Sequence, residues 1–423
     1  MLPREDMVFV GVCDLVGHLR GKALPLVDLE SRLPRGVGYT GANIMMSAFG
    51  PIHDNPFGTI GELALIPDRS TRVEVEFTGS AAERFYLADI RTADDRPWCC
   101  CPRNFLRGAL AELQQESGLQ ILAAFEQEFI YTGSDERPGT ACGHDAYRHQ
   151  GLFGEVLVSA IRRAGVTPDS FLAEHAPHQY KVTVAPTLGL RAADEAVIVR
   201  EMLRAVAFRF GRRVSFAPLP DPNAMGSGTH VRFSLLDEQG RAVIYDPSRP
   251  FGLSARAAPF IAGILHHLPA ITALTAPSVA SYFRLRPNRR APVCASIGEH
   301  DRGAALRVGG VFEGAVEAAA RQFNVEYRVS DATASPYLTL GAIIHAGVEG
   351  LRRNMSLGAG VASSRALPQS LEEALDLLAS DAAIAARVGA QLSEVYLRLK
   401  RSEIAALKGE NEQAICARYA AAY

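Results

Sequence analysis

The sequence predicts an α+β protein built from a small β-rich N-terminal domain, residues 1–95, and a large mixed domain, residues 96–423. Three observations lead there. Short apolar runs bounded by turn residues crowd the first 95 positions. Beyond them, strand-like runs alternate with amphipathic helices, with several antiparallel-looking pairs, which fits one large catalytic-sized α+β domain. The tail is helical by period and by capping residues.

In chain order, residues 7–13 and 20–25 are apolar segments around a Gly-containing turn, a hairpin-like opening. The Gly-rich stretch GVGYTGANIMMSAFGPIHDNPFG, residues 36–58, has little periodicity and is long for an idle loop. It is expected to cover a site or an interface. Strands are expected at 61–66 and 72–77. Leu106, Leu110 and Leu113 recur at three to four residues, so 104–118 reads as a helix stopped by Gly118. LQILAAFEQEFIY is a strand, 150–164 a helix closed by Gly165, and 180–185 a strand. A long helix is expected over 192–209, with Asp194 and Glu195 near its start, favourable against the helix dipole. Strand-like pieces recur at 230–235, 304–308 and 325–329. Residues 337–351 are apolar enough for a core helix. Ser370 followed by Glu373 forms a capping box, and 382–408 reads as helical.

Composition narrows the function classes. The chain has 48% hydrophobic and 21% charged residues in 423, with a formal net charge of −2. Disorder would need fewer apolar residues and more net charge. Near-neutrality gives no electrostatic case for nucleic acid or an anionic membrane as the main partner. Seven cysteines fit neither a disulfide scaffold nor a zinc spacing. Cys99, Cys100 and Cys101 are adjacent and read as a partly buried entry into the helix beginning near Pro102. The opening MLPREDMVFVGVCDLVG is not a signal peptide by pattern. The apolar stretch 260–276 is interrupted by His266, His267 and Pro269 and falls short of the roughly 20 residues that span a bilayer. The expected location is the cytoplasm.

Charged pairs at period two carry the chemistry. Glu126 and Glu128 in FEQEF share one face of a strand, opposite Phe125, Gln127 and Phe129. His230 and Arg232 do the same in GSGTHVRFSL, and Glu326 and Arg328 in NVEYRVSD. Any one of these could be a salt-bridged surface. Three together predict a sheet with a concave face lined by convergent charges. Like carboxylates so close need a cation or basic groups between them, which is what hard divalent ions provide. Gly226 and Gly228 permit a ligand or a neighbouring backbone to approach closely. Glu174, His175, His178, Gln179 and Lys181 form another polar cluster. Arg284, Arg289, Arg290, Arg302 and Arg307 fall within 24 residues, a series suited to phosphate or carboxylate groups. Acids for metal ions and arginines for anions are what ATP-dependent chemistry at a carboxylate requires. No P-loop, dinucleotide fingerprint, nucleophile elbow or HExxH motif occurs.

These segments, in this order, resemble the glutamine synthetase family. VCDLVGHLRGKALP and GELALIPDRST are similar to its N-terminal β-grasp domain, FEQEF to its paired glutamates, and GSGTHVRFSL to its glycine-rich His motif. SYFRL resembles its substrate-arginine motif, DRGAALRV its N-R-S-A-x-I-R motif, and VEYRVSDATASPYLTLGAIIHAGVEG its E-x-R-x-x-D-x-x-A-N-P-Y-L signature. The resemblance implies a curved antiparallel sheet with surrounding helices in the large domain. It also implies ATP with Mg²⁺ or Mn²⁺ as cofactors, and a homo-oligomeric ring, possibly a dodecamer. By the same resemblance Glu126, His230 and Glu326 would ligate one metal, and Glu128 and Glu174 the other. Arg284 would hold the substrate carboxylate, with Met225 and Gly226 in the substrate pocket. Arg302 and Arg328 would neutralise the transferring phosphate.

The sequence also departs from the pattern. The segment Glu174-His175-Ala176-Pro177-His178-Gln179-Tyr180-Lys181 ends in lysine where the family pattern ends in a metal-ligating glutamate, the second His of H-x-H is Arg232, and the flap glutamate of P-G-x-E-A-P is Arg290. D-G-S-S is replaced by Thr40-Gly41-Ala42-Asn43. The acids that would handle ammonium are thus missing, together with one metal ligand. The expected activity is an ATP-dependent carboxylate-amine ligase. It would resemble the γ-glutamyl-amide (γ-glutamylpolyamine) synthetase branch, use an organic amine, and pass through an acyl phosphate. The alternatives are nucleotide or metabolite binding without ligation, and a phosphotransferase that stops before the amide.

Overall fold

Val8, Val10 and Val12 repeat at every second position and are all buried, so Met7–Cys13 extends as β1 and pairs antiparallel with Leu19–Pro25, β2. The computed structural model describes residues 4–51, 54–58, 62–133, 139–311, 315–357 and 365–423. The small domain continues with β3 (Val37–Tyr39), a two-residue pair β4 (Met46–Ser47) and β5 (Gly50–Pro51), β6 (Leu63–Pro67), β7 (Val73–Val75) and β8 (Glu83–Thr92). Its sheet runs β2-β1-β8-β6-β3, with β7 also on β8. Gly61, the first residue of the strand expected at 61–66, lies outside the described residues, as do Ile52 and His53 of the Gly-rich stretch.

The central strand β8 is the element that periodicity does not reveal. ERFYLADIRT carries charges at both ends, yet Phe85, Tyr86, Leu87, Ala88 and Ile90 are buried. Its parallel pairing with β1 and antiparallel pairing with β6 cover both of its edges. The Gly-rich stretch is tied to the chain's own C-terminal helices. The Ala48 N–H donates to Glu403 at 3.3 Å, and Arg418 lies 4.2 Å over the Phe49 ring.

The large domain holds a nine-stranded sheet among the described residues, ordered β10-β11-β9-β14-β17-β16-β15, with β12 and β13 also on β9. These strands are β9 (Gln120–Thr132), β10 (Pro168–Ala173), β11 (Gln179–Val184), β12 (Thr187–Leu188), β13 (Arg213–Ser215) and β14 (Thr229–Leu236), followed by β15 (Ile297–Glu299), β16 (Leu306–Val308) and β17 (Val325–Tyr327). Only β15 and β16 pair in parallel within it. β10 is a strand the sequence hides, because Pro168 and Asp169 look like a turn; as the edge strand it tolerates the proline.

Helices cover this sheet. Pro102–Ser117 starts with proline in its first turn and ends at left-handed Gly118, φ 64°. Ala258–Thr275, which contains most of the apolar stretch 260–276, is long and apolar enough to cross a membrane but is 83% buried inside the protein. It packs on Pro336–Arg352. A Cβ at Gly263 would come within 2.3 Å of the Ala346 carbonyl, so glycine there sets how closely the two helices approach. The expected single helix over 382–408 is two, Ala382–Val388 and Ala390–Ala406, broken at Gly389 with φ 83°. A further helix, Glu412–Ala422, follows. Ser370 caps Leu371–Ser380 by accepting the Glu373 N–H at 3.1 Å, while the Glu373 carboxylate takes the N–H of Gln369, not of Ser370. The architecture is α+β, with a small N-terminal domain and a larger domain of mixed sheet and helices.

Candidate active site

Strand register assembles the charges. On β9, Glu126 stands opposite His230 of β14 and Glu128 opposite Lys181 of β11. On β17, Glu326 faces Arg232 of β14 on one side and Arg307 of β16 on the other. Five adjacent strands thereby bring these side chains to one face of the sheet.

Two groupings result. In the first, ligating atoms of Glu126, His230 and Glu326 all lie within 4.8 Å of one another, and all three residues are buried. His230 Nδ1 is 3.2 Å from Glu326 and 3.7 Å from Glu126, yet it is buried without a hydrogen-bond partner. Burial opposes ionisation of Glu126 most, but His230, Lys181 and Arg232 overcome it and hold its carboxyl well below the ordinary range. Glu326 is also depressed: burial raises it, and His230, Arg328 and Arg307 outweigh burial and the repulsion of Glu126. Arg232 Nε is 2.5 Å from Glu126. Arg307 is 2.6 Å from Glu326, and Arg328 is paired with the same carboxylate.

The second grouping centres on Lys181. Its Nζ lies 2.8 Å from Glu174, 3.1 Å from Glu128 and 3.4 Å from Glu126. Burial favours its neutral form, but the three glutamates raise its pKa above the usual lysine value. Glu128 also accepts the Gly228 N–H at 2.7 Å.

The glycines act by closeness. A Cβ at Gly226 would fall 2.6 Å from the Arg284 side chain, and one at Gly228 would fall 2.7 Å from His230 Nε2. Arg284 is buried, donates to the carbonyls of Val329 and Ser330, and keeps Nε unpartnered beside the cleft. Burial lowers its pKa, with Asp331 and Glu128 opposing. Met225, Gly226, Arg284, Arg290 and Arg302 line one chamber with Lys181. Arg290 is held at φ 54° in the left-handed region. A second chamber of about 320 Å³ is walled by Ala124, Glu126, Arg232, Phe233, Ser234 and Phe323, apolar at one end and charged at the other. A third, of about 270 Å³, shares Glu174, Lys181 and Arg302 with the first and Glu126 and Arg232 with the second.

The sequence reading gave no specific role to four contributors, of which Ser234 alone it did not single out. Arg307 was one arginine in a series until β16 paired with β17 and set it on Glu326. Gln179 donates to the Gly226 carbonyl and Ser227 Oγ, each at 3.0 Å, fastening the glycine segment. Arg289 braces the flap on the carbonyls of Ala224 and Pro222. Ser234 lines the larger chamber with its hydroxyl unpartnered, and its period-two spacing from His230 and Arg232 was the available signal.

The Glu126, His230 and Glu326 set fits a divalent cation: two carboxylates and one buried imidazole nitrogen that makes no hydrogen bond. Glu128 and Glu174 face Lys181 instead.

Comparison with known proteins identifies the family. The family described as the glutamine synthetase catalytic domain matches residues 99–419, and the glutamine synthetase N-terminal domain matches residues 3–98. The chain is 30% identical to gamma-glutamylpolyamine synthetase of Streptomyces coelicolor, over 97% of this chain and 92% of that protein. It is also 30% identical to the glutamine synthetase of Thermococcus kodakarensis, over 92% of this chain and 87% of that one. A solved structure of a novel glutamine synthase homolog superposes with a TM-score of 0.95 at 39% identity, covering all of both chains.

Proposed function

The chain belongs to the glutamine synthetase family, and we propose that it is an ATP-dependent ligase joining a carboxylate to an organic amine through an acyl phosphate. The observation that carries this is the shared face: metal-type ligands, phosphate-type arginines and a buried arginine for a carboxylate line chambers that share walls. Glu126, His230 and Glu326 would hold a Mg²⁺ or Mn²⁺ ion, which when bound neutralises phosphate oxygens and polarises the transferring phosphoryl group.

ATP enters as substrate. The larger chamber, with Phe233 and Phe323 at its apolar end and Arg232 at its charged end, suits a base and its phosphates. Arg302 and Arg328 stabilise charge that develops as the γ-phosphoryl group moves to the acid. Arg284 holds the acid's carboxylate by a fixed guanidinium. The acyl phosphate then loses phosphate when a neutral amine attacks its carbonyl carbon.

Relatives at 30% identity carry names that point to different nucleophiles, so the site must decide between them. Arg290 and the Thr40-Gly41-Ala42-Asn43 segment offer no carboxylate to take a proton from ammonium. The acids that handle ammonium in the family are thus absent, and we assign an organic amine as the nucleophile, as in the γ-glutamyl-amide branch. It attacks as the neutral amine after giving its ammonium proton to solvent, and Arg290 reads a further carboxylate on one of the substrates. Division into domains at 95/96, a cytoplasmic location and a homo-oligomeric ring belong to the same proposal.

The test is ADP release with mass-spectrometric detection of amide. L-glutamate and short dicarboxylic acids would be crossed with ammonium, ethylamine and putrescine. ADP and amide formed only with an acid and an organic amine together is the expected result. A second reading, nucleotide binding without ligation, is favoured by Lys181 among three glutamates that resemble metal ligands. It predicts thermal stabilisation by ATP with no ADP under any pairing. ADP without amide would identify a phosphotransferase.

A further inference from the structure

Lys181 stands where the family pattern carries a glutamate, and its surroundings show what the exchange does. Glu174 Oε1, Glu128 Oε1 and Glu126 Oε2 converge on a single point, and the ammonium of the chain itself occupies that point at 2.8, 3.1 and 3.4 Å. The placement is fixed by structure. Lys181 lies directly opposite Glu128 in the β9–β11 ladder and opposite Leu172 in the β10–β11 ladder, and its side chain is only 12% exposed. The other oxygen of Glu128 is engaged by the Gly228 N–H.

Charge agrees with position. Glu126, Glu128, Glu174 and Glu326 are matched by four directly paired cations, Lys181, Arg232, Arg307 and Arg328. A divalent ion on the Glu128 and Glu174 oxygens would sit against the ammonium, so ion and lysine exclude each other. At the neighbouring grouping Arg232 pairs with Glu126, and Arg307 and Arg328 with Glu326, but no lysine or arginine among the described residues pairs with both carboxylates, and His230 Nδ1 lies buried between them without a hydrogen bond.

We infer that Lys181 is a built-in cation that permanently replaces one of the two divalent ions the family pattern implies. The cleft then takes a single ion, held by Glu126, His230 and Glu326. Glu128 and Glu174 become positioning residues for the lysine, which supplies a charge that neither dissociates nor depends on metal concentration. The inference rests on the proposed function in treating the cleft as a metal-dependent nucleotide site, but its test does not depend on turnover.

That test is equilibrium uptake of Mn²⁺ by the full chain without nucleotide, followed by loss of the free-ion electron paramagnetic resonance signal. The wild type is expected to take one Mn²⁺ per chain, and Lys181→Glu two. His230→Ala should take none. Glu174→Gln, which leaves the fold less perturbed than Lys181→Glu, should still take one. Two ions per wild-type chain, no ion, or loss of the ion in Glu174→Gln would each overturn the inference. Two ions would leave the ligase proposal standing. One ion without ADP release in the substrate panel would remove the ligase proposal and leave the ion count intact.

Discussion

Arg103 and Glu326 are both buried charges ringed by opposite charges, and they differ in what is left over. Arg103 is 1% exposed and bonds Asp68 and Asp89 from the small domain and Asp194 from the large one, at 2.8–2.9 Å. Asp194 also accepts the Tyr337 hydroxyl at 2.6 Å. Around Glu326, Arg307 and Arg328 pair the carboxylate, but the nearby His230 Nδ1 is buried without a hydrogen bond, and chambers open beside His230 and Glu326. The first cluster closes on itself and joins two domains. The second is completed only by something from outside. Ion pairing alone therefore does not mark a site; an unsatisfied buried donor set beside a cavity does.

Mutation should separate the two. Arg103→Ala leaves buried Asp194 without its cation, and Asp68 and Asp89 with only the more exposed Arg107, and should destabilise the protein by about 3–5 kcal/mol, read by denaturant unfolding. A loss under about 1 kcal/mol would show that the interdomain cluster is not structural. Arg328→Ala should instead cut turnover roughly 100- to 1,000-fold with an unfolding midpoint close to wild type. Equal losses of stability and activity would erase the contrast.

Acid should distinguish the clusters next. Burial raises the pKa of Asp68, but Ser70 and Arg103 outweigh it and depress the folded value to about 2, from an ordinary 3.8. A depressed carboxylate contributes stability above its unfolded pKa and loses it as pH falls through the folded one. The stability difference between wild type and Asp68→Asn should therefore shrink from pH 4 to pH 2. A constant difference over that range would contradict the assignment.

The smallest effect is expected at Arg290, which holds a left-handed backbone at φ 54° in the chamber wall. Arg290→Gly should relieve about 1 kcal/mol of strain while raising KM for the acid or the amine. Unchanged KM for both would remove Arg290 from substrate recognition.

Much of this could be read in advance, because period two in a strand fixes which side chains share a face. FEQEF, THVRF and VEYRV each announced an aligned pair, and the family pattern supplied their partners. The Lys181 contacts required register: nothing local says that residue 181 sits opposite residue 128. Arg307 stood in the arginine series and in an expected strand, 304–308, but its partner Glu326 likewise required register. In the small domain β8 was lost because its buried centre is flanked by charges that serve surface ion pairs, such as Arg84 with Glu74 and Glu76. Local pattern identifies faces; pairing across strands identifies neighbours, and chemistry at this cleft depends on neighbours.

The central claim, that this face transfers phosphate from ATP to a carboxylate, is tested most directly by trapping the acyl phosphate with hydroxylamine. The full chain would be incubated with ATP, Mn²⁺ and L-glutamate or a short dicarboxylic acid. Hydroxamate formed in step with ADP, dependent on the acid and lost in Glu326→Gln, is the predicted result. ATP bound and returned intact with every acid, or ADP released at the same rate without any acid, would contradict it.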